Sequence, residues 1–217
     1  MAKKKFKFTY NYVLIAICVG LFVVFSSINA SFFRYDYIID MVKLITEIGI
    51  MALPLTLLII MGCIDFSMCT ILSMSAALGG IVAHYFGPLP GILTSVLIGL
   101  LCGAFNGFMV SKLRLPPLIT TLATMYLYRG IGVGATLASG YGTNVAATPV
   151  ARFLGAGAIV GIPTQIWVIA VIALVLHVVL SRTVYGRTLY AIGLNENATL
   201  FAGIDVVKIK FLTYVLA

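Results

Sequence analysis

One carboxylate stands in a long apolar stretch of this chain. Asp65, between Gly62 and Cys69, is the only charged residue from position 48 to position 111. An uncharged run of that length exceeds the roughly 20 residues that span a bilayer, so we expect two helices to meet around Asp65. A carboxylate at such a break either caps the helix that begins near Phe66 or contacts a transported solute. Ser67 belongs to the same break.

Two other polar side chains lie inside apolar segments. Asn106, beside Gly107, either hydrogen-bonds to a neighbouring helix or binds a polar substrate. Arg129 stands about 20 Å along its helix from the basic turn at Lys112 and Arg114. It either snorkels or pairs, or it contacts the substrate.

The sequence offers little for catalysis or for binding a metal. The cysteines, Cys18, Cys63, Cys69 and Cys102, lack the spacing of a metal site, so we expect them to pack. A nucleophile, a base and a metal cluster at workable spacing are missing, which argues against a membrane enzyme. We therefore assign no catalytic residue and no metal ligand.

The composition indicates a membrane protein. Hydrophobic residues make up 62% of the chain and charged residues 9%, with a mean hydropathy of +1.14, whereas soluble domains carry about 25% charged residues. The net charge of +8 could suggest nucleic acid. The basic residues, however, form short clusters between apolar segments, and no nucleic-acid motif accompanies them. We predict an all-α polytopic integral membrane protein, in contact with lipid and with no nucleic-acid partner.

The apolar pattern predicts about six complete transmembrane helices and the start of a seventh, in one transmembrane domain over 1–217. The expected helices cover about 10–30, 41–61, 68–86, 92–110, 118–138 and 164–180, and the seventh begins at Ile209. Pro54 predicts a kink in the second helix, and 87–91 reads as a turn. Glycines at four-residue spacing, Gly99, Gly103 and Gly107, predict a close packing face.

Positive charge sets the expected orientation. Lysines and arginines concentrate on the cytoplasmic side of a membrane protein, and the amino-terminal cluster Lys3, Lys4, Lys5 and Lys7 therefore predicts a cytoplasmic amino terminus. Counting helices from there leaves ten basic residues inside and Arg34, Lys43 and Arg152 outside. The stretch 139–163 is expected to be an external loop with a short surface helix around 148–154.

The predicted cytoplasmic segment 183–208 has the sequence signals of a short helix. Asn195 is a good N-cap, Glu196 suits the positive end of the helix dipole, and Gly203 suits a left-handed exit. Between them lie apolar residues, including Ala198 and Phe201, that a cytoplasmic loop would not normally expose. They either dock into a partner's groove or pack on this protein's own helices.

Three stretches carry a family resemblance. They are Gly62-x-Ile64-Asp65-x-Ser67, the turn 112–117 leading to Tyr128-Arg129-Gly130, and Gly186-Arg187-x-Leu189-Tyr190-Ala191-Ile192-Gly193-x-Asn195. Together they resemble the permease subunits of bacterial ABC importers for monosaccharides, of the ribose, galactofuranose and autoinducer-2 types. The resemblance covers nearly the whole chain, and the third stretch is its most specific part.

The resemblance implies a translocation subunit of the bacterial inner membrane that is not itself an enzyme. It implies four partners: an ATP-binding subunit, a second identical or different permease subunit, an external solute-binding protein and a sugar. ATP would act through the ATP-binding subunit, with no cofactor held by this chain. Coupling to that subunit falls on Gly186, Arg187, Tyr190, Gly193, Asn195, Glu196, Ala198 and Gly203, and the pathway or helix junction on Gly62, Asp65, Ser67, Asn106 and Arg129.

Two features depart from the resemblance. Cys63 and Cys69 stand where such permeases usually have glycine. The family implies about ten helices, and this chain ends at Ala217 as an apolar segment begins, so we expect a piece of a longer permease. The alternative function is a secondary transporter or channel-like protein, in which Asp65 and Arg129 carry a coupling ion or substrate.

Overall fold

A computed structural model describes residues 10–140, 153, 155 and 157–217. The helices within these residues are α1 (Tyr10–Ile28), α2 (Tyr35–Ile60), α3 (Met68–Phe86), α4 (Pro88–Ser111), α5 (Pro117–Ser139), α6 (Thr164–Arg182), α7 (Val184–Leu194), α8 (Glu196–Phe201) and α9 (Val206–Leu216). A 3-10 helix covers Ala30–Phe33, and the two-residue strands β1 (Ala158–Ile159) and β2 (Ile162–Pro163) pair antiparallel.

The chain divides into two compact units, Met1–Ile45 and Thr46–Ala217. In the first unit, α1 is followed by the 3-10 helix, and aromatic rings hold this turn together. The rings of Phe22 and Phe32 meet edge to face with centroids 5.1 Å apart. Such edge-to-face pairs are favourable because the positive ring edge faces the negative ring surface.

Most predicted helices are present, and the structure corrects the start of α2, the turn at 87–91 and the absence of a predicted helix at Val184–Leu194. α2 begins at Tyr35, earlier than the predicted 41, because residues 35–40, which were predicted to belong to a connection, form its first turns. The predicted turn at 87–91 is wrong, since only Gly87, with a φ of 90°, separates α3 from α4. Pro88 begins α4, where a missing N–H has no helical partner to lose. α7 was not predicted, and the surface helix expected around 148–154 falls largely outside the described residues.

Four of the described helices are long and apolar enough to cross a membrane, namely α2, α3, α4 and α6. The apolar part of α1 is shorter, covering Tyr12–Ile28. α5 has 23 residues, but Thr120, Thr121 and Thr124 on its buried face replace apolar residues. The polytopic helical prediction is confirmed, whereas the number of six crossings and the start of a seventh stay predictions.

Glycines set the packing of the second unit. α3 packs against both α4 and α5, and α9 packs along α4. A Cβ on Gly107 would lie 3.0 Å from the Phe211 carbonyl oxygen, and one on Gly103 would meet the Tyr214 carbonyl oxygen at 2.5 Å. Two members of the predicted glycine face therefore let α9 approach α4 closely. The third, Gly99, has no atom within 4 Å of its Cβ position.

The interior of this unit is partly polar and its surface is apolar. Asn106, Thr121 and Thr213 are fully buried, while Leu174 on α6 is 64% exposed. Apolar side chains on the outside suit lipid, and polar side chains on the inside find partners on neighbouring helices. This distribution fits a helical bundle in a membrane and leads to the buried polar cluster described next.

Candidate functional site

The break between α2 and α3 begins with a glycine-based helix end. Gly62 has a φ of 79°, its N–H donates to the Ile59 carbonyl at 3.0 Å, and the Cys63 N–H donates to the Leu58 carbonyl at 2.9 Å. These two bonds satisfy carbonyls that the end of α2 would leave unpaired. Gly62 therefore ends α2. Glycine suits this position because a side chain would make the left-handed backbone costly.

Asp65 stabilises this break in a different way from the predicted helix cap. α3 begins at Met68, and its N-cap residue, Ser67, makes no side-chain cap bond. The Asp65 carboxylate instead accepts the backbone N–H of Ser67 at 2.7 Å and its hydroxyl at 2.6 Å. An Asx-type turn therefore fixes the approach to α3, two residues before the cap position.

A chain of hydrogen bonds connects Asp65 with α4 and α5. The Asn106 amide donates to the Ser67 hydroxyl oxygen at 2.7 Å and to the second Asp65 oxygen at 3.5 Å. The Tyr128 hydroxyl donates to the Asn106 side-chain oxygen at 3.1 Å. Ser67 and Asn106 have no exposed surface, and Asp65 is 7% exposed. We call Asp65, Ser67, Asn106 and Tyr128 the junction network, and every hydrogen bond in it is donated toward the Asp65 carboxylate.

Sequence reasoning missed the part of the junction network that lies on α5. The Tyr128 hydroxyl also lies 3.2 Å from the Cys102 carbonyl, and Thr121 donates to the Ile64 carbonyl at 3.4 Å. A signal was present, because small or polar residues recur every four positions on α5, at Thr120, Thr124, Tyr128 and Gly132. That spacing places them on one helix face, and all four are buried.

Arg129 does not join the junction network. It follows the buried Tyr128 on α5 and is exposed, so it points away from Asp65. The ion pairs found among the described residues do not include it. The predicted pathway residues Gly62, Asp65, Ser67 and Asn106 therefore come together, whereas Arg129 stands apart from them.

The segment 183–208 packs directly onto the α2 end of the junction. Gly193 lies so close to the Ile60 carbonyl oxygen that a Cβ would overlap it. Leu189 and Ile192 of α7 share one buried cluster with Leu58 of α2 and Tyr214 of α9. Gly186 is similarly confined by the backbone at the end of α6. Two of the predicted coupling glycines therefore allow α7 to touch the backbone of other helices.

Cys63 belongs to the same buried cluster and is 2% exposed. Burial raises the pKa of its thiol, and the charge of Lys210 opposes this to a smaller extent. The thiol is therefore neutral at physiological pH and contributes as a small apolar group. This position, where the resemblance leads one to expect glycine, is filled without exposing the cysteine.

α8 has the predicted local signals. The Asn195 side chain accepts the Ala198 N–H at 3.0 Å, and Gly203 has a φ of 83° after the helix ends. Glu196, at the start of α8, forms an ion pair of 2.6 Å with Lys210 of α9, a contact that was not predicted from the sequence. This ion pair connects α8 to α9.

α8 is anchored to the fold on one side and open on the other. Thr199 is buried, whereas Phe201 is 89% exposed. Leu194, just before α8, is 88% exposed. The predicted coupling residues Arg187, Tyr190 and Ala198 are exposed as well. α8 and its flanks therefore present apolar and basic side chains outward, which is the arrangement expected of a contact surface.

A cavity of about 510 Å³ lies beside the junction. Asp65 and Ser75 contribute to its wall, which is otherwise largely apolar and includes Met51, Pro54 and Leu100. Its volume lies within the roughly 300–1,000 Å³ of small-molecule sites. Among the described residues, no group of three or more His, Cys, Asp or Glu side chains could hold a metal ion.

Comparison with known proteins adds a family match. A family model described as branched-chain amino acid transport system, permease component, matches residues 37–217. No solved structure matches the chain.

Curated relatives cover most of this chain. A ribose import permease protein of Bacillus subtilis is 34% identical over 92% of this chain, and one of Haemophilus influenzae is 32% identical over 89%. An autoinducer 2 import system permease protein of Klebsiella pneumoniae is 30% identical over 97% of this chain. The chain spans 61% to 64% of the length of these three relatives.

Proposed function

Because this chain belongs to the family of branched-chain amino acid transport system permease components, we propose that it is a membrane-spanning permease subunit of an ATP-driven importer. It is an inner-membrane, multi-pass protein. Its role is to form part of the translocation pathway, and ATP hydrolysis belongs to a separate subunit. One observation carries this proposal: the outward-facing α8 is joined through α7 to the helix junction at Asp65.

That arrangement suits the transfer of movement from a partner to the membrane helices. Phe201 and Arg187 lie on the exposed side, where an ATP-binding subunit docks. Gly193 lies on the opposite side, against the last turn of α2. Closely packed interiors transmit displacement because they have little room to absorb it. A push on α8 therefore reaches the junction network through packed atoms.

The partners follow from this role. We assign the chain an ATP-binding subunit, a second permease subunit that is either identical or different, and an external solute-binding protein. The amino terminus lies in the cytoplasm, and so do the turn at 112–117 and α8. Pro116 and Leu200 line one groove, which supports placing these two segments on the same side of the membrane.

The substrate class is a monosaccharide or a sugar-like solute. Two of the relatives above are named for ribose and one for autoinducer 2, while the family description names branched-chain amino acids. The cavity beside Asp65 has room for a small polar solute and few polar groups to bind it. The relatives' names favour the sugar.

Transport by the assembled system tests this function. The permease is reconstituted in vesicles with an ATP-binding subunit and a solute-binding protein from the same organism, and uptake of labelled ribose and labelled leucine is compared with and without ATP. ATP-dependent ribose uptake supports the proposal. Uptake of leucine alone assigns the chain to amino acids, and uptake that needs an ion gradient but no ATP favours the secondary transporter.

The secondary-transporter alternative lacks its expected charge pair. It assigned Asp65 and Arg129 to a coupling ion or substrate, but Asp65 is buried in the junction network and Arg129 is exposed. We therefore propose the structural role for Asp65, as the residue that holds the α2–α3 junction.

A further inference from the structure

A second surface lies next to α8. The turn between α4 and α5 and the α8–α9 segment enclose a groove of about 410 Å³. Ser111, Arg114 and Pro116 line one wall, and Glu196, Asn197 and Lys210 line the other. We call it the basic groove. Unlike the wall of the cavity near Asp65, this lining includes several charged and amide side chains.

The charge around the basic groove is positive. The two segments that meet here, 110–117 and 183–210, carry five basic residues and two acidic ones. Glu196 is already paired with Lys210, and Asp205 accepts the Lys208 N–H at the start of α9. The guanidinium of Arg114 is exposed, with no ion pair to it found among the described residues. An acidic partner would complement this surface.

One local feature points to an occupant of the groove. The Ser111 hydroxyl is buried and lacks a hydrogen-bond partner within the described part of the chain. A buried polar atom without a partner is costly, so a ligand atom that satisfies it is favoured.

We propose that the turn at 112–117 and α8 form one continuous docking surface for the ATP-binding subunit, with an acidic side chain of that subunit seated in the basic groove. The carboxylate pairs with Arg114 and accepts a hydrogen bond from Ser111. This rests on the proposed function and adds a second contact to the one made by α8. The α4–α5 turn would then move together with α8 when the partner moves.

Binding of the purified ATP-binding subunit to membranes that contain the permease tests this assignment. Arg114→Glu reverses the charge, and we expect about tenfold weaker binding at low salt, with less dependence on ionic strength. Arg114→Gly removes the side chain at a position with a φ of 55°, a left-handed backbone conformation that glycine adopts readily. We expect this variant to reach normal membrane levels and still bind severalfold more weakly. Arg182→Glu, at the exposed end of α6, makes the same change in charge outside the groove and serves as the control.

These outcomes test the groove assignment separately from the proposed function. Wild-type binding by both Arg114 variants overturns the groove assignment, and if Phe201→Asp still releases the subunit, the proposed function stands. Equal weakening by Arg114→Glu and Arg182→Glu also overturns it, because general charge then explains the effect. If the wild-type permease binds no ATP-binding subunit, the proposed function itself fails.

Discussion

Gly193 lies against the carbonyl oxygen of Ile60, so the end of α7 rests directly on the last turn of α2. The break that holds Asp65 begins immediately after this turn. The contact between the segment assigned to coupling and Ile60 is therefore only a few residues along the chain from the buried carboxylate of Asp65. Their roles can be separated by testing each contact in turn.

Gly193→Ala should disturb this contact more than the size of a methyl group suggests. The new Cβ would overlap the backbone oxygen of Ile60, which cannot rotate away. We expect α7 to shift and the folded protein to lose about 1–3 kcal/mol, with a lower melting temperature in detergent and reduced uptake. Gly130→Ala is the control, since no atom lies within 4 Å of that Cβ position. Equal melting of Gly193→Ala and the wild type would refute the contact.

Asp65→Asn tests the structural role of the carboxylate. An amide oxygen still accepts from Ser67, but the amide NH₂ then faces the Asn106 NH₂, which is also a donor. We expect a loss of about 1–3 kcal/mol and less folded protein in the membrane. The matched control is Asp36→Asn, whose carboxylate is 81% exposed. A variant that is as stable as the wild type yet transports nothing would place Asp65 in the solute pathway instead.

Tyr128→Phe removes the hydroxyl that donates to Asn106 and leaves the Asn106 oxygen unpaired in a buried site. The expected cost is about 1–3 kcal/mol, seen as a lower melting temperature. Tyr126→Phe, on the same helix at 68% exposure, should change nothing. When Tyr128→Phe is combined with Asn106→Ala, the loss of stability should be less than the sum of the two single losses, because both changes break the same hydrogen bond. Full additivity would contradict the network.

The ion pair between Glu196 and Lys210 allows a charge-swap experiment. Glu196→Lys places two positive charges together and should loosen α8 from α9 and lower uptake. Adding Lys210→Glu restores an ion pair of the opposite polarity. Since Glu196 is half exposed, the stability effect should stay under about 1 kcal/mol. Recovery of uptake in the double variant indicates that the pair positions α8. Uptake that stays low indicates that Glu196 contacts the partner directly.

Local signals in the sequence were sufficient for α8 and for the α2–α3 break. Asn195 and Gly203 act within a few residues of their own positions, so their capping roles could be predicted. The uncharged run around Asp65 required a break for reasons of length alone. The small-residue spacing of Gly103 and Gly107 predicted a packing face, although not that α9 would occupy it.

What could not be predicted depends on contacts between distant residues. Tyr128 reaches Asn106 across 22 positions of sequence, and Asn106 reaches Ser67 across 39. Only the packing of α3, α4 and α5 decides which polar groups meet. α7 was missed because it is rich in glycine and lies between charges, and its buried face becomes apparent only against α2. Arg129 was grouped with Asp65 because both are charged residues in apolar segments. On α5, however, the exposed Arg129 faces a different direction from the buried Tyr128 beside it.

Co-purification of the ATP-binding subunit with the full-length permease from native membranes tests the central claim most directly. The wild type and Val160→Asp, a substitution in the exposed β1–β2 turn, should both retain the subunit. Phe201→Asp should release it at unchanged permease levels, because a charge replaces an exposed apolar side chain of α8. Retention of the subunit by Phe201→Asp as strong as by the wild type, or failure of the wild type to retain it, would contradict the account.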